Sequence, residues 1–230
     1  MRADAIILAR GGSKGIPKKN VKIFCGKPLV EWTIVQAKAS KKINNIYLSS
    51  DSNEILKIGS KHNINIIKRP KIYSGDKASS ESAVIHIIRN IKNISNEGIV
   101  LLEPTSPLRK KHDIDNLISD FFKYKWDSGF TAGELNDFLI WEKIKRNKLK
   151  SINYNFKKRG QRFGRKNCYV ENSIAYIFKP KMIMKYKNRL AGKIGLTINK
   201  VWQSFEIDEK DDWNFVKTIF KDKILGKEIL

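Results

Sequence analysis

Short apolar runs alternate with longer amphipathic stretches through the first half of the chain. Ala5-Ile6-Ile7-Leu8 is a continuous apolar run of the kind buried in a parallel sheet, and Gly11, Gly12 and Gly15 break it at once. After Pro17 and Pro28, apolar residues at helical spacing predict a helix over 29–39. A strand over 46–50 ends at Asp51, and a helix over 54–62, a strand over 64–67, an amphipathic helix over 80–91 and a buried strand over 99–102 follow. Strands and helices alternating in this way predict an α/β fold, a mainly parallel sheet with helices on both faces.

The second half has a weaker pattern. A helix is predicted over 113–124, but the segment 133–168 mixes aromatic, Asn and basic residues without a clean period. It is expected to leave the main sheet, which the chain rejoins at a strand over 173–178. A further strand over 200–207 and a helix over 211–220 are expected, the helix with acidic residues at its N-terminus where the dipole favours them. No internal repeat or low-complexity linker divides the chain, so the expectation is one domain over 1–230 with an extension at about 133–168.

Ligands of open α/β sheets bind beyond the carboxyl ends of the strands. The polar clusters fall in those places: Arg10 to Lys14 after the first strand, Ser49-Ser50-Asp51 after the second, and Glu103-Pro104-Thr105-Ser106 after the strand over 99–102. Glycines let main-chain N–H groups approach phosphate oxygens, Arg10 offers a forked pair of donors, and Lys14 offers a compact charge. Together they suit a triphosphate. The spacing matches neither GxxxxGK[ST] nor GxGxxG, and from these residues alone an ordinary turn and a phosphate cradle stand about even.

Composition narrows the reading. A chain of 230 residues with 41% hydrophobic content and five Trp is long and apolar enough for a sizeable core, which excludes disorder. No signal-peptide pattern or apolar run of membrane-spanning length is present, so no membrane insertion is expected. Cys25 and Cys168 form neither a disulfide framework nor a CxxC site, which points to a reducing cytoplasm. The net charge of +23 could serve nucleic acid, but lysines are scattered from Lys18 to Lys227 without a recognition helix or focused basic stripe, and no nucleic-acid partner is expected. The cluster Lys157-Lys158-Arg159 with Arg162, Arg165 and Lys166 stays open between solvated surface and a funnel for an anionic substrate.

The run Ala9-Arg10-Gly11-Gly12-Ser13-Lys14-Gly15-Ile16-Pro17-Lys18-Lys19-Asn20, then Gly26-Lys27-Pro28-Leu29, Ser49-Ser50-Asp51 and Pro104-Thr105-Ser106-Pro107-Leu108-Arg109, closely resembles the acylneuraminate cytidylyltransferase family, the CMP-sialic acid synthetases. The resemblance runs in order from residue 5 to about residue 215. It implies a nucleotide-diphospho-sugar transferase-like, Rossmann-like fold with a protruding dimerisation element, and hence a homodimer. It also implies a Mg²⁺-dependent transfer of CMP from CTP to an acidic nine-carbon sugar, releasing pyrophosphate, for surface glycan biosynthesis.

Carried over by motif, Arg10 and Lys14 would hold the triphosphate and act with Asp208 in catalysis, while Asn20, Arg69 and Ser80 would contact the nucleotide. Ser80 could also serve as a helix N-cap. Ser204-Phe205-Glu206-Ile207-Asp208 resembles the family's S-x-D-x-D, whose two acids bind the metal. Positions two apart on a strand face the same way, so Glu206 and Asp208 could reach one ion, with Asp208 the safer ligand.

The sugar side departs from the family pattern. Glu103 stands where many members have Gln; an ionised Glu only accepts hydrogen bonds and so suits a hydroxyl or amide donor. Aligning on Asn172 places Arg162 where the family carries an Arg near the sugar carboxylate, and Asn172 and Tyr176 complete the expected substrate contacts. Trp141 falls near a position where some members have Lys and is equally a packing residue. The sugar stays open among neuraminate, a deaminated relative and a 5,7-diamino nonulosonate such as legionaminate. The alternatives are a nucleotidyltransferase for Kdo or for a sugar-1-phosphate, groups without the Lys-Lys-Asn and Pro-Thr-Ser-Pro-Leu-Arg combination, or a basic nucleic-acid-binding protein.

Overall fold

A computed structural model describes residues 1–135, 138–146, 148–158 and 168–226. The apolar run near the N-terminus is strand β1 (Ala3–Leu8), and a hairpin of β2 (Ile23–Phe24) and β3 (Lys27–Pro28) follows, its turn at Cys25 and Gly26 with φ of 47° and 90°. Helix α1 (Leu29–Ala39), β4 (Ile43–Ser50), α2 (Asn53–Lys61), β5 (Asn65–Lys68), α3 (Ser80–Asn90), β6 (Ile99–Leu102) and α4 (Asp113–Lys123) then alternate as the periodicity predicts. The chain continues through β7 (Ser128–Glu134), β8 (Trp141–Lys145), β9 (Lys148–Ser151), β10 (Tyr169–Phe178), α5 (Pro180–Tyr186), β11 (Ile194–Asn199) and α6 (Lys210–Phe220).

Among the described residues seven strands form the main sheet, in the order β11-β7-β10-β6-β1-β4-β5. All neighbours are parallel except β10, which runs antiparallel to β6 and β7. Side chains alternate across the sheet. Ile7, Leu48, Val100 and Leu102 face α1, α2 and α4, while Ile6, Tyr47, Ile99 and Leu101 face α3 and α5. A third cluster, with Phe24, Trp32, Leu108, Ile207, Val216 and Phe220, seats α6 and the small hairpin against α1. Ile207 is fully buried in it, which fixes the acidic residues on either side.

The strand expected over 200–207 is not there. Strand β11 ends at Asn199 and a 3₁₀ turn, Val201–Ser204, follows. Gln203 makes the turn: its Oε1 accepts from the Lys200 N–H at 3.1 Å, and its buried Nε2 donates to the Leu108 carbonyl at 3.0 Å and to Asp113 Oδ2 at 2.6 Å. Residues 205–208 run on outside any strand, held by the Ile207 N–H donating to the Thr105 carbonyl at 2.8 Å.

Strands β8 and β9 pair only with each other among the described residues. Every residue of β8 is exposed. Among the described residues no helix is long and apolar enough to cross a membrane.

Candidate active site

A cleft of about 560 Å³ opens at the carboxyl ends of β1 and β6. Arg10, Lys14, Asn20, Arg69, Ser80, Glu103, Glu206 and Asp208 all line it, so eight residues chosen from separate stretches of sequence meet in one place. The glycine loop forms one wall. Its Gly11 N–H donates to Asp51 Oδ1 at 2.8 Å, which ties the loop to the end of β4. A Cβ on Gly15 would overlap the Asp208 carbonyl oxygen, so only glycine lets the loop lie against the acidic segment.

Arg10 and Lys14 grip one anion between them. Arg10 Nη1 lies 3.1 Å from Asp76 Oδ1 and Lys14 Nζ 3.1 Å from Asp76 Oδ2. Hydrogen bonding from Lys14, with Arg10 adding to it, holds the Asp76 carboxyl below the usual carboxylate range. Two cations that share the two oxygens of a carboxylate are spaced to share the oxygens of a phosphate.

Deeper in the cleft, polar atoms lack partners among the described residues. Asn20 is 6% exposed; its Nδ2 donates to the Arg10 carbonyl at 2.8 Å, but its Oδ1 is unpaired. Arg69 is 5% exposed, and its Nε and Nη2 have no acceptor among the described residues. Burial lowers the Arg69 pKa from its ordinary value. Buried polar groups are rarely left unpaired, so an acceptor on Asn20 and donors on Arg69 define a complementary ligand edge. Ser79, not Ser80, caps α3, its Oγ accepting from the Ser82 N–H at 3.1 Å, while Ser80 lines the cleft.

The opposite wall is acidic. Burial, together with the charges of Glu103 and Asp208, raises the Glu206 carboxyl above its ordinary value, and Thr105 Oγ1 donates to it at 3.4 Å. Asp208 Oδ1 accepts from Lys19 Nζ at 2.9 Å, and the same ammonium donates to the Ile207 carbonyl at 2.6 Å. Lys19 is 7% exposed, and only its place in Lys-Lys-Asn hints at this in the sequence. The Glu103 carboxylate is held from behind by Arg189 Nη1 at 3.1 Å.

Among the described residues no three His, Cys, Asp or Glu side chains form a ready metal cluster. Glu206 and Asp208 nonetheless make a donor set that fits Mg²⁺, which needs only one or two carboxylates when phosphate and water complete its shell. The mutual repulsion felt at Glu206 is what a bound cation would relieve.

Other expected residues lie elsewhere. Asn172 is buried at a register shift in β10: its Oδ1 accepts from Thr131 Oγ1 at 2.6 Å and its Nδ2 donates to Ser204 Oγ at 3.3 Å. Tyr176 is 5% exposed, with its hydroxyl donating to Glu171 Oε1 at 2.8 Å and Arg189 stacked 4.7 Å from its ring centroid. Neither is among the residues that line the cleft. Trp141 sits on β8 against Tyr154 and Phe156, at centroid distances of 5.7 and 5.4 Å, away from the cleft lining. Arg162 lies outside the described residues. Asp76 and Arg189, which the sequence reading gave no role, become visible only through contacts with residues 66 and 86 positions away.

A glycine loop after the first strand of a largely parallel sheet, a cationic anion cradle and an acidic wall facing it define a nucleotidyltransferase. The cytidylyltransferase family profile matches residues 5–218, and the chain belongs to that family. The post-translational flagellin modification protein B of Campylobacter coli is 29% identical over 229 residues, 95% of each chain. The CMP-N,N'-diacetyllegionaminic acid synthase of Legionella pneumophila is 27% identical, over 96% of this chain and 97% of its own. The pseudaminic acid cytidylyltransferase of Campylobacter jejuni is 30% identical, over 78% of this chain and 84% of its own. In fold, the chain is similar to a CMP:2-keto-3-deoxy-manno-octonic acid synthetase solved with CTP, with a TM-score of 0.73 at 12% identity over 97% of this chain and 100% of that one.

Proposed function

We propose that this cytidylyltransferase moves CMP from CTP to the anomeric hydroxyl of a sialic-acid-like nonulosonic acid and releases pyrophosphate. The observation that carries the reading is the division of one cleft into a cationic cradle at Arg10 and Lys14, unpaired polar groups on Asn20 and Arg69, and an acidic wall at Glu103, Glu206 and Asp208.

In this reading the triphosphate replaces the Asp76 carboxylate between Arg10 and Lys14, which neutralise the charge that builds on the departing pyrophosphate. Asn20 Oδ1 accepts from an exocyclic amine of the base and Arg69 donates to the nucleotide, so that both lose their unpaired state. Ser80, at the first turn of α3, adds a hydroxyl on the same side. Lys19 fixes Asp208, and Glu206 with Asp208 would hold Mg²⁺. When bound, that ion supplies positive charge at the α-phosphate. The rest of the catalysis is positioning: the sugar hydroxyl and the α-phosphate are held in line between the two walls.

The nine-carbon acid is favoured over Kdo because the relatives that span most of the chain carry legionaminic and pseudaminic acid in their names, whereas the octonic acid enzyme, at 12% identity, speaks to the fold alone. Asn172 and Tyr176 support the sugar half from behind the wall, and Arg162 remains the candidate for the sugar carboxylate. The exposed apolar side chains Phe138, Trp141, Ile144, Leu149, Ile152 and Phe156 gather in and around the β8–β9 hairpin and fit a homodimer contact. With its Cys25 and Cys168 thiols free, the enzyme would work in the cytoplasm.

The test is pyrophosphate release from CTP and Mg²⁺ with a panel of acceptors. Turnover with neuraminic, legionaminic or pseudaminic acid is expected, and turnover confined to Kdo or to a sugar-1-phosphate would sink the assignment.

A further inference from the structure

The connection between α5 and β11 carries Arg189, a residue outside every motif of the sequence. Its guanidinium spans two carboxylates, with Nε 2.7 Å from Glu81 Oε1 and Nη1 3.1 Å from Glu103 Oε1. The side chain is only 16% exposed and packs across the face of Tyr176. The Tyr176 hydroxyl is itself tied to Glu171. Arg189 does not line the cleft, whereas Glu103 does. Whatever Arg189 does for a bound molecule is therefore done through Glu103.

Glu103 needs such a partner. It stands on the wall with Glu206 and Asp208, and its charge is one of the causes that raise the Glu206 pKa. A carboxylate that stands beside others turns away from them unless a cation holds it in place. Arg189 supplies that cation from the protein side and engages one oxygen. The rest of the carboxylate keeps its capacity to accept, and an ionised carboxylate cannot donate. The aromatic face beneath the guanidinium and the second carboxylate at Glu81 hold the fork in one orientation.

We infer that Arg189, stacked on Tyr176 and anchored by Glu81, is the positioning residue that holds the Glu103 carboxylate in one orientation as a hydrogen-bond acceptor in the sugar half of the cleft and so selects acceptor sugars that present a hydroxyl or N–H donor there. This rests on the nonulosonate reading of the cleft. It also gives Tyr176 a place in recognition without contact: the ring supports Arg189, and Arg189 sets Glu103.

The experiment measures KM and kcat for the acceptor and for CTP separately, by pyrophosphate release, in wild type, R189Q, R189K, E103Q and the double variant E103Q/R189Q. The acceptors are nonulosonic acids that carry a donor or lack it at the amide-bearing positions. R189Q should raise the acceptor KM by roughly tenfold while leaving the CTP KM within about twofold, the loss expected for one misplaced charge-assisted hydrogen bond. R189K should recover part of the loss, and R189Q should cost little more once Glu103 is already Gln. E103Q should narrow the gap between donor-bearing and donor-lacking acceptors.

Equal losses for CTP and acceptor, or fully additive effects of E103Q and R189Q, would overturn this inference while leaving the cytidylyltransferase reading intact. Absence of turnover by the wild type with every nonulosonic acid would overturn both. If R189Q fails to fold, the comparison of R189K with wild type decides the matter: because Lys keeps the charge but not the fork, an acceptor KM unchanged from wild type refutes the inference.

Discussion

Arg109 is 1% exposed, yet its guanidinium makes five hydrogen bonds among the described residues. Its Nε donates to the Ile174 carbonyl at 2.5 Å, and its Nη2 donates to the carbonyls of Glu103 at 2.7 Å and Ser173 at 3.4 Å. Its Nη1 donates to Thr33 Oγ1 and Gln36 Oε1, each at 3.3 Å. The carbonyls need it because the register of β10 on β7 slips between Asn172 and Tyr176, so Ser173 and Ile174 fall outside the ladder. Burial pulls the Arg109 pKa down to about 10, which still leaves it charged at neutral pH. Replacement by Lys keeps that charge, so the cost of burying it largely cancels between the two proteins. What Lys loses is the fork: a single ammonium cannot reach Ile174 and Glu103 together with the helix side chains. Leaving about two buried acceptors unpaired at roughly 1–3 kcal/mol each gives a loss of about 3 kcal/mol. For a chain of this size that corresponds to a fall in Tm of about 6–12 °C. Thermal unfolding of R109K, followed by circular dichroism, checks it. A fall smaller than about 2 °C would refute the account of Arg109 as the bond between β6 and β10. Because Glu103 loses its backbone anchor in the same variant, the acceptor KM should rise as well.

Asp76 occupies the cradle that the triphosphate would use, so D76N should tighten binding of CTP and of inorganic pyrophosphate roughly threefold in a calorimetric titration; weaker binding would mean that Asp76 serves the ligand rather than competing with it. D208N should abolish turnover while sparing most CTP binding, and near-normal turnover would remove Asp208 from the metal site. Burial raises the Asp113 carboxyl above its ordinary value despite bonds from the Lys110 N–H and Gln203. A raised folded value means that wild-type stability is fully present below the unfolded aspartate range and declines as pH rises through the folded one. The Tm of wild type relative to D113N should therefore fall as pH rises above about 4, and a difference that grows with pH contradicts this. Replacing Trp141 and Leu149 on the hairpin by Ser should shift a dimer toward monomer in sedimentation, and an unchanged dimer would move the contact elsewhere.

The first half of the fold is legible in the sequence because β1, β4 and β6 lie inside a parallel sheet covered on both faces, where a strand must be an apolar run. The later strands obey a different constraint. Gly129 in β7 lies against Trp126, where a Cβ would come within 2.8 Å of the ring, and Gly133 lies against Val201 and Ser204, where it would come within 3.0 Å of both. Gly195 in β11 faces the same Trp126 ring with no room for a Cβ at all. A glycine interrupts the apolar pattern that marks a strand, and in space these three are the hollows that receive a tryptophan and a 3₁₀ turn.

The candidate site shows the same division. The cradle is local, carried by Arg10 and Lys14 within one loop, so its two cations are neighbours in sequence even though their spacing alone left a turn and a cradle about even. The acidic wall was expected on a strand, where residues two apart share a face, and the strand is absent. Glu206 and Asp208 reach the cleft for another reason: Ile207 between them is fully buried against Phe24, Leu108 and Phe220, and its N–H is held by Thr105. Burying the middle residue of an extended segment turns both neighbours outward, whether or not a ladder is present. Alternation therefore put both carboxylates on one side for a reason the fold does not use, and the core under α6, more than any sheet register, sets how far those two carboxylates stand from the glycine loop.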